Sequence, residues 1–290
     1  MRFAICLFIS IACAEFAHAL PTVTTSAIPL AGLLERLCQT VCEATALIQA
    51  NKEPDAYDPT PKEIRAAAKS SLYFSTGLPF EENIGKTLIK MNPSIRMISW
   101  GASLSTADRI SSDEHDHGHG HDHGHHHVSF DPHLWTSPKI LSLLAKSAVV
   151  ELKQTFPTSS ATLDKNSAEV EKELSALKTE IEQKLSPFRG EKIWTFHGAW
   201  AYLLRDVGIE QIAIEQHGRG ERSARQFETL MKTAKSNSVK FIFITPQTQH
   251  HSADELAKRL GAQVQKLDPM KKDFASAIRD ASSAFEVTLK

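Results

Sequence analysis

The chain lacks several features, and each absence narrows what it can do. No apolar run in its 290 residues approaches the roughly 18 that a membrane-spanning helix requires. Neither sign of charge is in excess: 33 basic against 34 acidic side chains leave a net charge of −1, with no electrostatic footprint for nucleic acid. The sequence contains no His-Glu-x-x-His, no Gly-x-Ser-x-Gly and no glycine loop of the phosphate-binding kind, so these enzyme signatures are missing. Cysteine is scarce, at four residues. Against these absences stand a hydrophobic content of 41%, sufficient for a folded core, and 14 histidines. Eight of the histidines fall between His115 and His127.

Residues 1–19 have the pattern of a secretory signal peptide. Arg2 gives a positive start, Phe3 to Cys13 an apolar core of eleven residues, and Ala17-His18-Ala19 a small-x-small cleavage site before Leu20. Ser10 stands where a lipoprotein signal needs a large aliphatic, so the expectation is a soluble exported protein. Export removes Cys6 and Cys13 and leaves Cys38 and Cys42 in an oxidising compartment. Within one helix the pair could bond only with strain. A disulfide requires Cys42 to lie beyond the helix end, and the alternative is two small buried thiols. A Cys-x-x-x-Cys pair does not have zinc-finger spacing.

Periodicity alternates between strand and helix. Strands are expected at 21–28, 44–49, 72–76 and 95–100, with helices at 30–41, 61–70 and 81–91. A low-complexity insert interrupts at 104–128. A helix at 138–156 and a longer one from about Ala161 to Leu185 follow. In the latter, Leu163, Val170, Leu174, Leu177, Ile181 and Leu185 form one apolar stripe. A second alternation runs from strand 192–196 to a terminal helix. The reading is an α/β protein of two lobes, each a mainly parallel sheet flanked by helices, joined by one long helix. The expected divisions are a signal peptide at 1–19, a first lobe at 20–157 carrying the histidine-rich loop 113–128, a linker helix at 158–187 and a second lobe at 188–290.

In the insert, His115, His117, His119, His121, His123, His125, His126 and His127 are interleaved with Asp and Gly. Such a segment cannot bury a core, and neutral imidazoles bind zinc, copper and nickel. It reads as a loose metal collector. Of the remaining histidines, His133 precedes a helix and His197 ends a strand, as does Asp268; strand C-termini are where open α/β sheets bind ligands. His217 and the pair His250-His251 read as loop residues, solvated or able to supply a missing ligand.

Four ordered motifs resemble one family. They are Asp-Pro-His-Leu-Trp-x-x-Pro at Asp131–Pro138, Phe-His-x-Ala at Phe196–Ala199, Leu-Asp-Pro at Leu267–Pro269, and a match to Pro-His-x-Tyr-x-Pro-x-Pro at Pro54–Pro61. Together they are similar to the periplasmic metal-binding proteins of zinc and manganese ABC importers. The resemblance implies two α/β lobes with the metal held between them, and a histidine-rich loop is typical of the zinc-importing members. It implies a site of His133, His197 and Asp268, with Asp55 where the family has its first histidine. Thr245-Pro246-Gln247 likewise replaces the Glu-Pro-Gln of many relatives.

A carboxylate oxygen binds zinc at about the distance of an imidazole nitrogen, though Asp is the shorter side chain. Two imidazoles and two carboxylates form a harder set, favouring manganese or iron, whereas the tract favours zinc. The expected cargo is therefore Zn2+, with Mn2+ or Fe2+ as the alternative. The leading function is capture of that metal in the periplasm by a monomer and delivery to the membrane permease of an ABC importer. The competing readings are a metal buffer or chaperone without a transporter, and an enzyme with an open zinc site.

Overall fold

The computed structural model describes residues 19–50, 52–111, 130–215, 224–237, 239–247 and 250–290. The signal-peptide reading, the histidine tract and His217 fall outside these residues.

The first lobe runs Thr22–Ala27 (β1), Ile28–Cys38 (α1), Glu43–Ile48 (β2), Pro61–Ala67 (α2), Leu72–Ser75 (β3), Glu81–Met91 (α3), Arg96–Ser99 (β4), Trp100–Ser103 (α4) and Pro138–Thr155 (α5). Its sheet is parallel with order β2-β1-β3-β4; Val23 faces Ala44 on one side and Leu72 on the other. The 26-residue helix Ser160–Leu185 (α6) follows, about 39 Å long at 1.5 Å per residue. The second lobe comprises Lys192–Thr195 (β5), Ala201–Val207 (α7), Glu210–Ala213 (β6), Ala224–Ser236 (α8), Phe241–Ile244 (β7), His250–Leu260 (α9), Gln263–Lys266 (β8) and Phe274–Leu289 (α10). Its sheet repeats the same parallel arrangement, β6-β5-β7-β8.

Helix starts follow local chemistry. Thr60 and Glu63 form a reciprocal capping box ahead of Pro61, and the Ser137 hydroxyl caps α5 with Pro138 in its first turn. Gly208 ends α7 in the left-handed region at φ 76°, where a Cβ would be strained.

The expected stripe of α6 is buried throughout, and the helix packs on α1 and α5 of the first lobe and α10 of the second. One continuous apolar core therefore runs from the first sheet through α6 to Trp200, Phe243 and Phe285. A smaller core under β7 unites Phe196, Ile214, Ile242, Ile244 and Leu256.

The anticipated strands and helices are present, their ends differing by up to three residues. Two differences have physical reasons. Trp100, expected at the end of a strand, instead opens α4, buried with its indole N–H donating to Leu144 O at 2.9 Å. His250 and His251, expected in a loop, open α9; residues 250–252 are His-His-Ser, and the apolar period that announces the helix begins only at Ala253. Helix α1 ends at Cys38, Gln39 turns the chain at φ 43°, and Cys42 lies beyond the helix end, disulfide-bonded to Cys38.

Candidate metal centre

In each sheet, the second and third strands of the lobe lie on opposite sides of its first strand, which opens a crevice at the carboxyl ends of β1 and β3 and of β5 and β7. His197 lies two residues past the end of β5. Its backbone neighbours are fixed by Phe196 N–H donating to Phe243 O at 2.7 Å and Glu215 N–H to Phe196 O at 2.8 Å. Gln211 locks the next loop, accepting from Trp200 N–H at 2.9 Å and donating to Gly198 O at 3.1 Å. Asp55 sits in the loop between β2 and α2. Tyr57 anchors that loop by donating to Leu47 O at 3.2 Å and packing edge-on to Phe80. Burial and the neighbouring Glu63 carboxylate push the Tyr57 phenol up, so it remains a donor.

His133 comes from the segment that enters α5. Its ring and that of His197 lie 5.1 Å apart at 77°, and their Nε2 atoms are 3.3 Å apart. Asp55 Oδ2 lies 3.7 Å from His197 Nε2. One ligand atom from each of Asp55, His133 and His197 falls within 4.8 Å of the others. Tetrahedral ligands about 2.0–2.1 Å from a zinc ion stand about 3.3–3.4 Å from one another, so the imidazole pair already has the spacing of one edge of such a site. Both histidines are buried, at 1% and 7% exposure, and Asp55 is partly so.

The lone pair of His133 is directed by its neighbours. Asp131 Oδ1 lies 2.8 Å from its Nδ1. A carboxylate only accepts, so Nδ1 carries the proton and Nε2 presents its lone pair to the centre. The segment is braced from the other lobe: Tyr202 donates its hydroxyl to Asp131 O at 2.8 Å and accepts from Ile110 N–H at 3.2 Å, and Trp135 donates to Pro269 O at 2.9 Å.

Behind it, Phe130 occupies a slot that exists because positions 77 and 101 are glycine; a Cβ at either would come within 2.6 Å of its ring. The turn 76–78 forming one wall is gathered by the buried Glu81 carboxylate, which accepts from the N–H groups of Thr76, Gly77 and Leu78 and from the Ser26 hydroxyl. Burial pushes that carboxyl above its usual range, against the pull of these donors.

Of the sequence-derived ligands, the structure brings together His133, His197 and Asp55. Asp268, just past β8, stands outside this group of three; its Oδ1 accepts from Met270 N–H at 2.9 Å and from Gln247 at 3.3 Å. Two residues near the centre escaped the sequence reading. Asp131 was legible in principle, since a carboxylate two residues before a ligand histidine is a common orienting partner. Glu53, whose Oε1 lies 3.5 Å from His197 Nε2, has no motif to mark it.

Two parallel α/β lobes, one long helix between them and imidazoles converging from both sides define a two-lobed binding protein with a metal-donor cluster at its junction. The chain belongs to the family described as zinc-uptake complex component A, periplasmic (ZnuA), which it matches over residues 23–285. Among its relatives, a putative metal-binding protein of Chlamydia trachomatis serovar D is 23% identical over 263 residues, covering 91% of this chain and 90% of the relative. The high-affinity zinc uptake system protein ZnuA of Bacillus subtilis is 28% identical over 255 residues, covering 86% of this chain and 78% of the relative. A crystal structure of ZnuA superposes with a TM-score of 0.82 at 26% identity, covering 93% of this chain and all of that one. Members of this family are metal-binding transport proteins, and no helix among the described residues is long and apolar enough to cross a membrane.

Proposed function

We propose that this protein captures a divalent transition metal between its lobes in the periplasm and delivers it to the permease of an ABC importer, without covalent chemistry and as a monomer. Zinc is the metal. The observation that carries this reading is the pair of buried Nε2 atoms 3.3 Å apart with the Asp55 carboxylate beside them. Buried imidazoles from two lobes have little reason to converge on a carboxylate unless a cation joins them. Membership of the zinc-uptake family and the eight-histidine tract support zinc over other metals. His133, His197 and Asp55 bind it.

Export by the N-terminal segment puts capture outside the cytoplasm, and the tract gathers metal loosely beside the site. Release follows when docking on the permease separates the lobes, because donors from both are needed for tight binding. Manganese or iron is the second reading, favoured by the carboxylate at position 55.

Competitive titration against a chromophoric chelator tests the proposal. The full chain is expected to hold one zinc far more tightly than manganese. His133→Ala and His197→Ala should each remove that tight site. Tight binding retained in both variants would overturn the assignment. A strain deprived of the gene and grown at low zinc should lose uptake, and recover it with the wild-type chain but not with His197→Ala.

A further inference from the structure

We infer that Glu53 is a ligand of the metal, so that one loop supplies two carboxylates, Glu53 and Asp55, to the two imidazoles. This rests on the metal-capture reading and deepens it. Three ligand atoms surround His197 Nε2: His133 Nε2 at 3.3 Å, Glu53 Oε1 at 3.5 Å and Asp55 Oδ2 at 3.7 Å. All three separations from His197 Nε2 lie close to the roughly 3.3 Å edge of a tetrahedral zinc site; Asp55, His133 and His197 also converge on one another, and Glu53 stands beside them at His197. Glu53 Oε1, the oxygen nearest His197, is shielded from solvent although the side chain as a whole is partly exposed.

Charge supports the same set. A divalent cation held by two neutral imidazoles in a buried site retains its full charge, and burying net charge is costly. Two carboxylates neutralise it. Asp268 is a poorer candidate for the second one, since its Oδ1 is engaged by Met270 N–H and Gln247. Its role is then to shape the 268–270 turn, to which Trp135 is bonded beside His133.

The loop also explains how Asp can replace the family's histidine at position 55. A shorter side chain leaves room at the centre, and the longer Glu53 two residues earlier fills it. Glu53 thereby gives the site a fourth protein donor, its carboxylate turning in from beside His197 to join the three side chains that already converge.

The test compares Glu53→Gln, Asp268→Asn and His197→Ala in the full chain, with zinc affinity read by chelator competition and Co2+ bound in place of zinc. Glu53→Gln should weaken zinc by at least about tenfold, on the scale seen when a metal site loses a supporting carboxylate. It should also change the intensity and position of the Co2+ visible bands, which follow the number and kind of ligands. A residue that only supports the loop would leave those bands unchanged. Asp268→Asn should alter neither readout. Wild-type affinity and an unchanged Co2+ spectrum in Glu53→Gln, with His197→Ala defective, would overturn the Glu53 assignment and leave the site reading intact. Tight binding in His197→Ala as well would overturn both.

Discussion

A single oxygen of Asp131 holds His133 in two ways: Oδ1 accepts from the His133 backbone N–H at 2.8 Å and from its ring Nδ1 at 2.8 Å. Main chain and imidazole are thus fixed by one carboxylate, with Pro132 between the two residues limiting the backbone. Asp131→Asn presents an amide that can turn a donor toward Nδ1 and reverse the tautomer. Zinc affinity should fall by roughly 10–100-fold, as for other orienting carboxylates, while the thermal midpoint of the apo protein changes little. Competition titration and calorimetry on the same preparation check both halves.

The histidine tract is expected to be dispensable for the tight site. Its flanks, Ser111 and Phe130, face each other as an antiparallel bridge, and Asp131 N–H donates to Ile110 O at 2.9 Å. A two-residue Asn-Gly turn can therefore replace residues 112–129 without moving His133. The shortened protein should retain one tight zinc and bind fewer zinc ions in total. Loss of the tight site on isothermal titration would refute the division into collector and centre.

Gly101 should not tolerate alanine. A Cβ there would lie 2.3 Å from Thr76 O and 2.6 Å from the Phe130 ring. One wall is backbone held by Glu81, so strain passes to Phe130 and the segment leading to His133. Destabilisation of about 1–3 kcal/mol in urea unfolding is expected, the usual range for overpacking.

Asp273 gives stability a local dependence on pH. It caps α10, accepting from Ser276 N–H at 3.3 Å, and pairs with Arg36 at 3.1 Å. Burial raises its carboxyl, but the Ser276 N–H and the Arg36 guanidinium outweigh burial and hold it below the usual range. A depressed folded-state value means stability present above the unfolded carboxyl range and lost as pH falls through the folded one. Asp273→Ala should cost about 1 kcal/mol at neutral pH, the typical worth of an N-cap. The difference from wild type should shrink below about pH 4 and vanish once Asp273 is protonated in both states. Urea melts at a series of pH values read it directly.

How much was legible beforehand differs between fold and site. The alternation of strands with helices, the stripe from Leu163 to Leu185 and the position of His197 after β5 follow from hydrophobic period, which is local. Start signals are local too: Thr60-Pro61 and Ser137-Pro138 begin helices where written. The first turn of α9 was not legible, because it opens on His-His-Ser and the apolar period starts only at Ala253, and neither was Trp100, whose indole N–H is bonded to a carbonyl in α5.

The sequence alone determined that this is a two-lobed α/β protein with histidines to spare, and its motifs singled out His133 and His197 among fourteen. Only the tertiary structure decided which side chains meet. Residues 53, 55, 133 and 197 are spread over 145 positions of chain, and the distances among them depend on how β2, the α5 entrance and β5 are packed around one core. Linear spacing carries no information about that packing. It therefore could not bring Glu53 to His197, nor leave Asp268 outside the three converging side chains.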